Sequence, residues 1–132
     1  DMGCGTGVLA IVAVGCGAER MMAVDIDDWA CDSCRDSLAL SGVASQVDVR
    51  CGSIDVGNGE KYDFILANIN RNILIDMMPS FAKLLDKGGQ LLMSGFFVED
   101  VEILNEVAEA NGFHRVESLS SDGWAVLKCR KI

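Results

Sequence analysis

The first seven residues, Asp1-Met2-Gly3-Cys4-Gly5-Thr6-Gly7, set glycines at three alternate positions. Glycines this close permit a tight backbone turn and leave no Cβ where another group must approach. An apolar stretch of helical character runs from Thr6 or Gly7 to about Gly15, and the strand-like run Met21 to Asp25 follows, ending in an acid. A glycine turn, a helix and a strand closed by a carboxylate are the opening of an open α/β sheet. In such a fold a buried strand of roughly four to eight apolar residues leads into the loop. Here the loop begins at residue 1, without an initiator methionine. The chain is therefore expected to be the C-terminal part of a longer protein, with its first strand truncated.

The remaining pattern alternates in the same way. Asp27 or Asp28 is expected to cap a helix running to about Ser41, stopped by Gly42. Gln46 to Cys51 reads as a strand, Asp55 to Lys61 as a loop, and Tyr62 to Asn68 as a continuous apolar strand. Asn70 or Asn72 caps the next helix, with Arg71 a solvated residue at its start. Pro79 is expected to break or restart that helix, because proline lacks the amide donor. Lys87-Gly88-Gly89 turns into a strand from Gln90 to Ser94, and Glu99 to Asn111 is helical, stopped by Gly112. The end reads as a hairpin, Phe113 to Leu119 and Trp124 to Cys129, around Ser121-Asp122-Gly123. The expected fold is α/β and Rossmann-like, one domain over residues 1–132. Its sheet is mostly parallel with a C-terminal antiparallel hairpin, and helices cover both faces.

Composition excludes several classes. Half of the 132 residues are hydrophobic and one is proline, so a buried core is expected rather than disorder. No apolar run approaches the ~20 residues that cross a bilayer, so no membrane partner is expected. The formal net charge of −9 speaks against direct nucleic-acid binding, which wants clustered Lys and Arg. Cys4, Cys16, Cys51 and Cys129 stand singly, which suits reduced thiols and a cytoplasmic location. Cys31 and Cys34 form a CxxC, read as two thiols on a helix; no second pair completes a metal site.

The loop chooses among ligands. A dinucleotide fingerprint requires G-x-G-x-x-G, and Val8 stands where its third glycine belongs. No Gly-Lys-Ser/Thr follows, so the phosphate-binding alternative fails as well. Asp1 beside a pyrophosphate is repulsive, whereas beside the ammonium and sulfonium of S-adenosyl-L-methionine it is favourable. Asp25, about 20 residues after the loop, suits a ribose diol. Asp27 is the other acid available, although a helix N-cap accounts for it. Gly52-Ser53-Ile54, after the next strand, can border an adenine, with Ile54 packing on the ring; Ile26, beside Asp25, is also expected to contact the cofactor. Asn68 ends its strand with a side-chain carbonyl that can accept from an attacking amine and orient its lone pair. His114 is the one histidine and reads as a surface or structural residue.

With these residues assembled, the chain resembles the class I S-adenosylmethionine-dependent methyltransferases over essentially its whole length. DMGCGTG and VDID look like their first two motifs. ILANINRNIL, LLMSGFF and DGWAVLKC are similar to the PrmA family. That resemblance implies methyl transfer to amino groups, lysine side chains and the N-terminus, of a large-subunit ribosomal protein. It assigns cofactor contacts to Gly3, with Gly5 and Gly7 in the same motif, and to Asp25 and Asn68. It also implies an N-terminal substrate-recognition domain and an upstream cofactor-contacting threonine that this sequence lacks. Without them the chain is expected to bind cofactor poorly and to methylate inefficiently. The alternatives are an amino-methyltransferase for nucleic acid, glutamine or a small molecule, or a non-catalytic cofactor-binding domain. Against the first of these, Asn68-Ile69-Asn70-Arg71 lacks the two prolines and the aromatic residue of that motif.

Overall fold

The computed structural model describes residues 1–57 and 59–132. The chain divides into two units, Asp1–Val56 and Gly57–Ile132.

In the first unit, α1 (Val8–Gly15), β1 (Met21–Asp25), α2 (Asp28–Leu40) and β2 (Val47–Cys51) follow in order. β1 and β2 pair in parallel, Met21 opposite Val47 and Asp25 opposite Cys51. Residues 1–3 extend this arrangement. Met2 bridges Val24 in parallel, the Asp1 amino group donates to the Met22 carbonyl at 2.8 Å, and the Val24 N–H donates to the Asp1 carbonyl at 2.9 Å. The loop is thus pinned to β1 by backbone pairing before it turns. α2 starts where its Asp27 side chain accepts from the Trp29 N–H at 2.9 Å, an N-cap as expected. Cys31, Cys34 and Leu38 are its buried stripe. Gly42, at φ 71°, terminates it.

The cysteines depart from expectation. Cys31 on α2 and Cys51 at the end of β2 form a disulfide, their Cα atoms 6.0 Å apart. Reading all six as reduced thiols fails for this pair, because their nearness is made by α2 packing on β2 and has no trace in their spacing along the chain. Cys4, Cys16, Cys34 and Cys129 are free.

In the second unit, β3 (Tyr62–Asn68), α3 (Arg71–Leu84), β4 (Leu85–Phe97), α4 (Val101–Ala110), β5 (Phe113–Ser121) and β6 (Trp124–Lys131) form a four-stranded sheet of order β3-β4-β6-β5. β3 and β4 are parallel; β6 runs antiparallel to both β4 and β5. Ile65, Ala67, Leu91, Met93, Leu127 and Cys129 make one buried face. Against that side pack α3, through Leu74, Met78, Phe81 and Leu84, and α4, through Val101, Leu104 and Ala108. The β5–β6 hairpin turns through Asp122 (φ 52°) and Gly123 (φ 82°), two left-handed residues as a type I′ turn demands.

Four expectations are corrected here. Pro79 lies inside a continuous α3. The apolar stripe carries on past it through fully buried Phe81, and burying such residues outweighs the roughly 3 kcal/mol cost of an interior proline. β4 begins at Leu85 rather than Gln90. Lys87-Gly88-Gly89 bulges out of the strand, since Tyr62 faces Leu85 while Phe64 faces Gln90. The expected loop at Asp55–Lys61 opens as a 3-10 turn, Ile54–Gly57; its Asn58 lies outside the described residues. A 3-10 turn, Val98–Asp100, also precedes α4, which starts two residues later than expected.

Pro79→Ala is expected to retain the fold and to raise the urea midpoint, by up to about 3 kcal/mol in unfolding free energy. Phe81→Ala should cost about 3–5 kcal/mol. Urea unfolding followed by circular dichroism measures both, and a neutral Phe81→Ala would contradict its placement in the core.

Candidate functional site

The first unit gathers most of the sequence-derived candidates. Gly3, Gly5 and Gly7 all take positive φ (69°, 51° and 83°), so the loop curls through three successive left-handed glycines. Gly7 is doubly constrained. It precedes α1 with no side-chain cap, and a Cβ there would sit 2.7 Å from the Cys34 sulfur. The Gly3 and Cys4 N–H groups both donate to the Val24 carbonyl, at 2.8 and 3.0 Å.

Asp25 joins the loop to the strand end. One carboxylate oxygen accepts from the Gly5 N–H at 3.0 Å; the other accepts from the Asp27 N–H at 3.1 Å. Each oxygen keeps acceptor capacity, so the group is oriented without being used up. Neighbouring Ile26 is 81% exposed, an unusual position for a large apolar side chain beside a half-buried carboxylate. The Gly52 N–H donates to the Asp25 carbonyl at 2.8 Å, which brings the segment after β2 to the same strand end. There Ser53 Oγ accepts from the Asp55 N–H at 3.4 Å and donates to its carboxylate at 3.3 Å; Ile54 opens the 3-10 turn.

Asp1 is the electrostatic anomaly. Both of its carboxylate oxygens are buried and neither has a hydrogen-bond partner. A carboxylate left that way is costly unless a cation or donor meets it. Beneath the loop the Cys4 and Cys34 thiols are neighbours, and Cys4 Sγ donates to the Gly5 carbonyl at 4.0 Å. Burial, then the neighbouring Cys34 and the Asp25 charge, push Cys4 from 9.0 up to about 12, and burial pushes Cys34 up as well. Burial also raises Cys129, to about 11.

In the second unit, Asn68 ends β3 directly opposite Ser94 of β4. Its Oδ1 accepts from the Ser94 hydroxyl at 3.1 Å. The two residues lie on a cavity of about 570 Å³, with Ile69, Asn70 and Gly95 beside them and Leu119, Trp124 and Val126 of the hairpin among the rest of its wall. The Trp124 ring stacks on Phe97, centroids 4.4 Å apart. Asn70 is the N-cap of α3, accepting from the Ile73 N–H at 3.1 Å. Arg71 is not merely solvated: its guanidinium pairs with Asp100 at 2.8 Å. His114 is exposed on β5. Sequence reasoning missed Ser94, Gly95 and the hairpin wall, although LLMSGFF contains the first two and DGWAVLKC contains Trp124 and Val126. Among the described residues no cluster of His, Cys, Asp and Glu suits a metal ion, and no helix is long and apolar enough to cross a membrane.

Comparisons with known proteins bear on this arrangement. A family model described as ribosomal protein L11 methyltransferase (PrmA) matches residues 1–132. The chain is 45% identical over 129 residues to a ribosomal protein L11 methyltransferase of Porphyromonas gingivalis, covering 97% of this chain and 44% of the relative. A solved ribosomal protein L11 methylase from Lactobacillus delbrueckii subsp. bulgaricus superposes with a TM-score of 0.93 at 29% identity, over 100% of this chain and 69% of that one. An RNA methyltransferase from Salinibacter ruber, solved with S-adenosyl-L-homocysteine, shares the fold at a TM-score of 0.78 and 18% identity, over 98% of this chain and 77% of that one. The chain spans less than half the length of the curated relatives it matches.

Thiol accessibility follows from this burial. In the native, unreduced protein iodoacetamide should label exposed Cys16 and spare Cys4, Cys34 and Cys129; reduction should add exposed Cys51. Peptide mass mapping reads the sites, and rapid labelling of Cys4 would contradict its burial. A pH effect follows too. Cys4 has a folded pKa of about 12 against 9.0 unfolded, so its contribution to stability is complete below pH 9 and is lost as pH rises from 9 towards 12. Thermal unfolding of wild type and Cys4→Ala across that window should show the smaller loss in the variant.

Proposed function

Because the chain belongs to the ribosomal protein L11 methyltransferase (PrmA) family, we propose that it is the cofactor-binding catalytic part of a protein that transfers a methyl group from S-adenosyl-L-methionine to amino groups of that ribosomal protein. The acceptors are lysine side chains and the N-terminus, and the reaction is assigned to the cytoplasm. The observation that carries this reading is the buried, unpartnered carboxylate of Asp1, for which the cofactor's ammonium is the matching charge.

The other residues fit the same group. Asp25, held by the Gly5 and Asp27 amides, offers its remaining lone pairs to the two ribose hydroxyls. Ile26, Ser53 and Ile54 border the base, with exposed Ile26 supplying an apolar surface for an aromatic ring. Gly3, Gly5 and Gly7 let the backbone come close to the ligand. When bound, the cofactor supplies an electrophilic methyl on a sulfonium.

Asn68 is the residue assigned to the acceptor. Its Oδ1 has a second lone pair beyond the one that Ser94 uses, which accepts an N–H of the incoming amine and directs the nitrogen lone pair. Positioning of this kind is the main requirement of a direct displacement. A lysine of unperturbed pKa ~10.4 costs about 4–5 kcal/mol to present neutral at pH 7. Desolvation in the cavity lowers that cost, so the reading requires no strong general base.

Full-length protein incubated with S-adenosyl-[methyl-³H]methionine should label ribosomal protein L11 in preference to nucleic-acid or small-molecule pools. Label confined to nucleic acid would overturn the substrate assignment. Asp25→Ala should weaken S-adenosylhomocysteine binding by at least about tenfold in calorimetry, since hydrogen bonds to a charged group contribute about 1.5–3 kcal/mol each. Asn68→Ala should weaken that binding and depress transfer; an unchanged dissociation constant for Asp25→Ala would remove the ribose role.

A further inference from the structure

Asn68 is an exposed amide at a strand end, where nothing in its own strand fixes the position of its side chain. β4 supplies that control. Ser94 stands opposite Asn68 in the parallel register, and the Ile69 N–H donates to the Ser94 carbonyl at 3.1 Å. That backbone bond carries the pairing one residue beyond β3 and sets Ser94 level with the amide. The Ser94 hydroxyl donates to Oδ1 at 3.1 Å. A hydroxyl can donate to the oxygen of an amide or accept from its NH₂; here it donates to Oδ1, and the bond ties the side chain to β4.

Gly95 completes the arrangement. Ser94 faces Val126 of β6 and Phe96 faces Ala125, so Gly95 is the additional residue of a β-bulge, at φ 88°. A bulge bends the strand and re-aims neighbouring side chains. The space a Cβ would fill at Gly95 is taken: it would lie 2.9 Å from Asn68 Oδ1, 2.9 Å from the Ile69 carbonyl oxygen and 3.0 Å from the Ile69 nitrogen. The backbone of β4 therefore forms the wall against which the Asn68 oxygen rests, and only a residue without a side chain leaves room for it. All three residues line the same cavity.

We propose that Ser94 and Gly95 are positioning residues for Asn68: the serine hydroxyl tethers the amide through Oδ1, and the bulged glycine leaves room for it at the cavity edge. This rests on the role given to Asn68 above and deepens it. Neither residue is required to touch the methyl acceptor. Their effect is to hold the amide in one position, where an untethered side chain samples several rotamers.

The test uses full-length protein with S-adenosyl-[methyl-³H]methionine and ribosomal protein L11. Ser94→Ala should lower kcat by about three- to tenfold, the value of one neutral hydrogen bond in a rate, with KM for the cofactor within about twofold of wild type. Ser94→Thr keeps the hydroxyl and should restore kcat. Gly95→Ala should lose about a hundredfold, as expected for a reacting group displaced on the ångström scale. The Asn68 side-chain amide NMR signals, identified by their loss in Asn68→Ala, should shift or broaden in Ser94→Ala and return in Ser94→Thr. Wild-type kcat in Ser94→Ala, or a loss that threonine does not restore, overturns the positioning role while leaving that of Asn68 intact. Full activity of Asn68→Ala removes the role of Asn68 itself, and the positioning role with it.

Discussion

The Asp25 carboxylate holds the first unit's candidate site together by hydrogen-bonding to backbone rather than to side chains. It ends β1 and accepts from the Gly5 and Asp27 amides, and its own carbonyl receives the Gly52 amide. Three separate pieces of chain, the glycine loop, the start of α2 and the turn after β2, are thereby referred to one residue. Charge-assisted bonds from backbone amides are among the stronger in proteins and cost no side-chain entropy on the donor side. The left-handed glycines are what allow the Gly5 amide to be aimed at the carboxylate at all.

Two kinds of strain and charge are concentrated around that residue. Asp1 contributes a buried carboxylate with unpartnered oxygens, while Cys4 and Cys34 fill the space under the loop as neutral thiols, their pKa values raised by burial. A protein sacrifices stability by burying an uncompensated acid, and such sacrifices cluster at binding sites. The thiols have the opposite character: kept protonated, they pack as small apolar groups, and Gly7 is a glycine partly because the Cys34 sulfur occupies the place of its Cβ.

The second unit solves a different problem. Its sheet has one face closed by α3 and α4, and the candidate cavity opens where β3, β4 and the hairpin end. Hydrophobic continuity dominates local preference there, since α3 passes through Pro79 without interruption because Leu74, Met78, Phe81 and Leu84 lie on one buried stripe. Irregularity is placed where it serves geometry. β4 is bulged twice, at Lys87-Gly88-Gly89 against β3 and at Gly95 against β6; the second bulge adjoins Asn68.

Much of this was legible before any coordinates. The glycine loop, the acid closing β1, the caps at Asp27 and Asn70, the stops at Gly42 and Gly112 and the hairpin turn at Asp122-Gly123 are local signals. Each follows from the backbone conformation a residue permits or from the amide it can reach within three positions. The resemblance carried by DMGCGTG and ILANINRNIL agreed with the family that the comparisons later identified. What needed tertiary structure was everything that joins residues far apart in sequence: the disulfide between Cys31 and Cys51, the Arg71–Asp100 ion pair, the Ser94–Asn68 hydrogen bond and the persistence of α3 through Pro79. These depend on strand register and helix packing, which add contacts that no periodicity along one segment encodes. The glycine loop was therefore readable from seven residues, whereas the setting of Asn68 became visible only when β4 was laid beside β3.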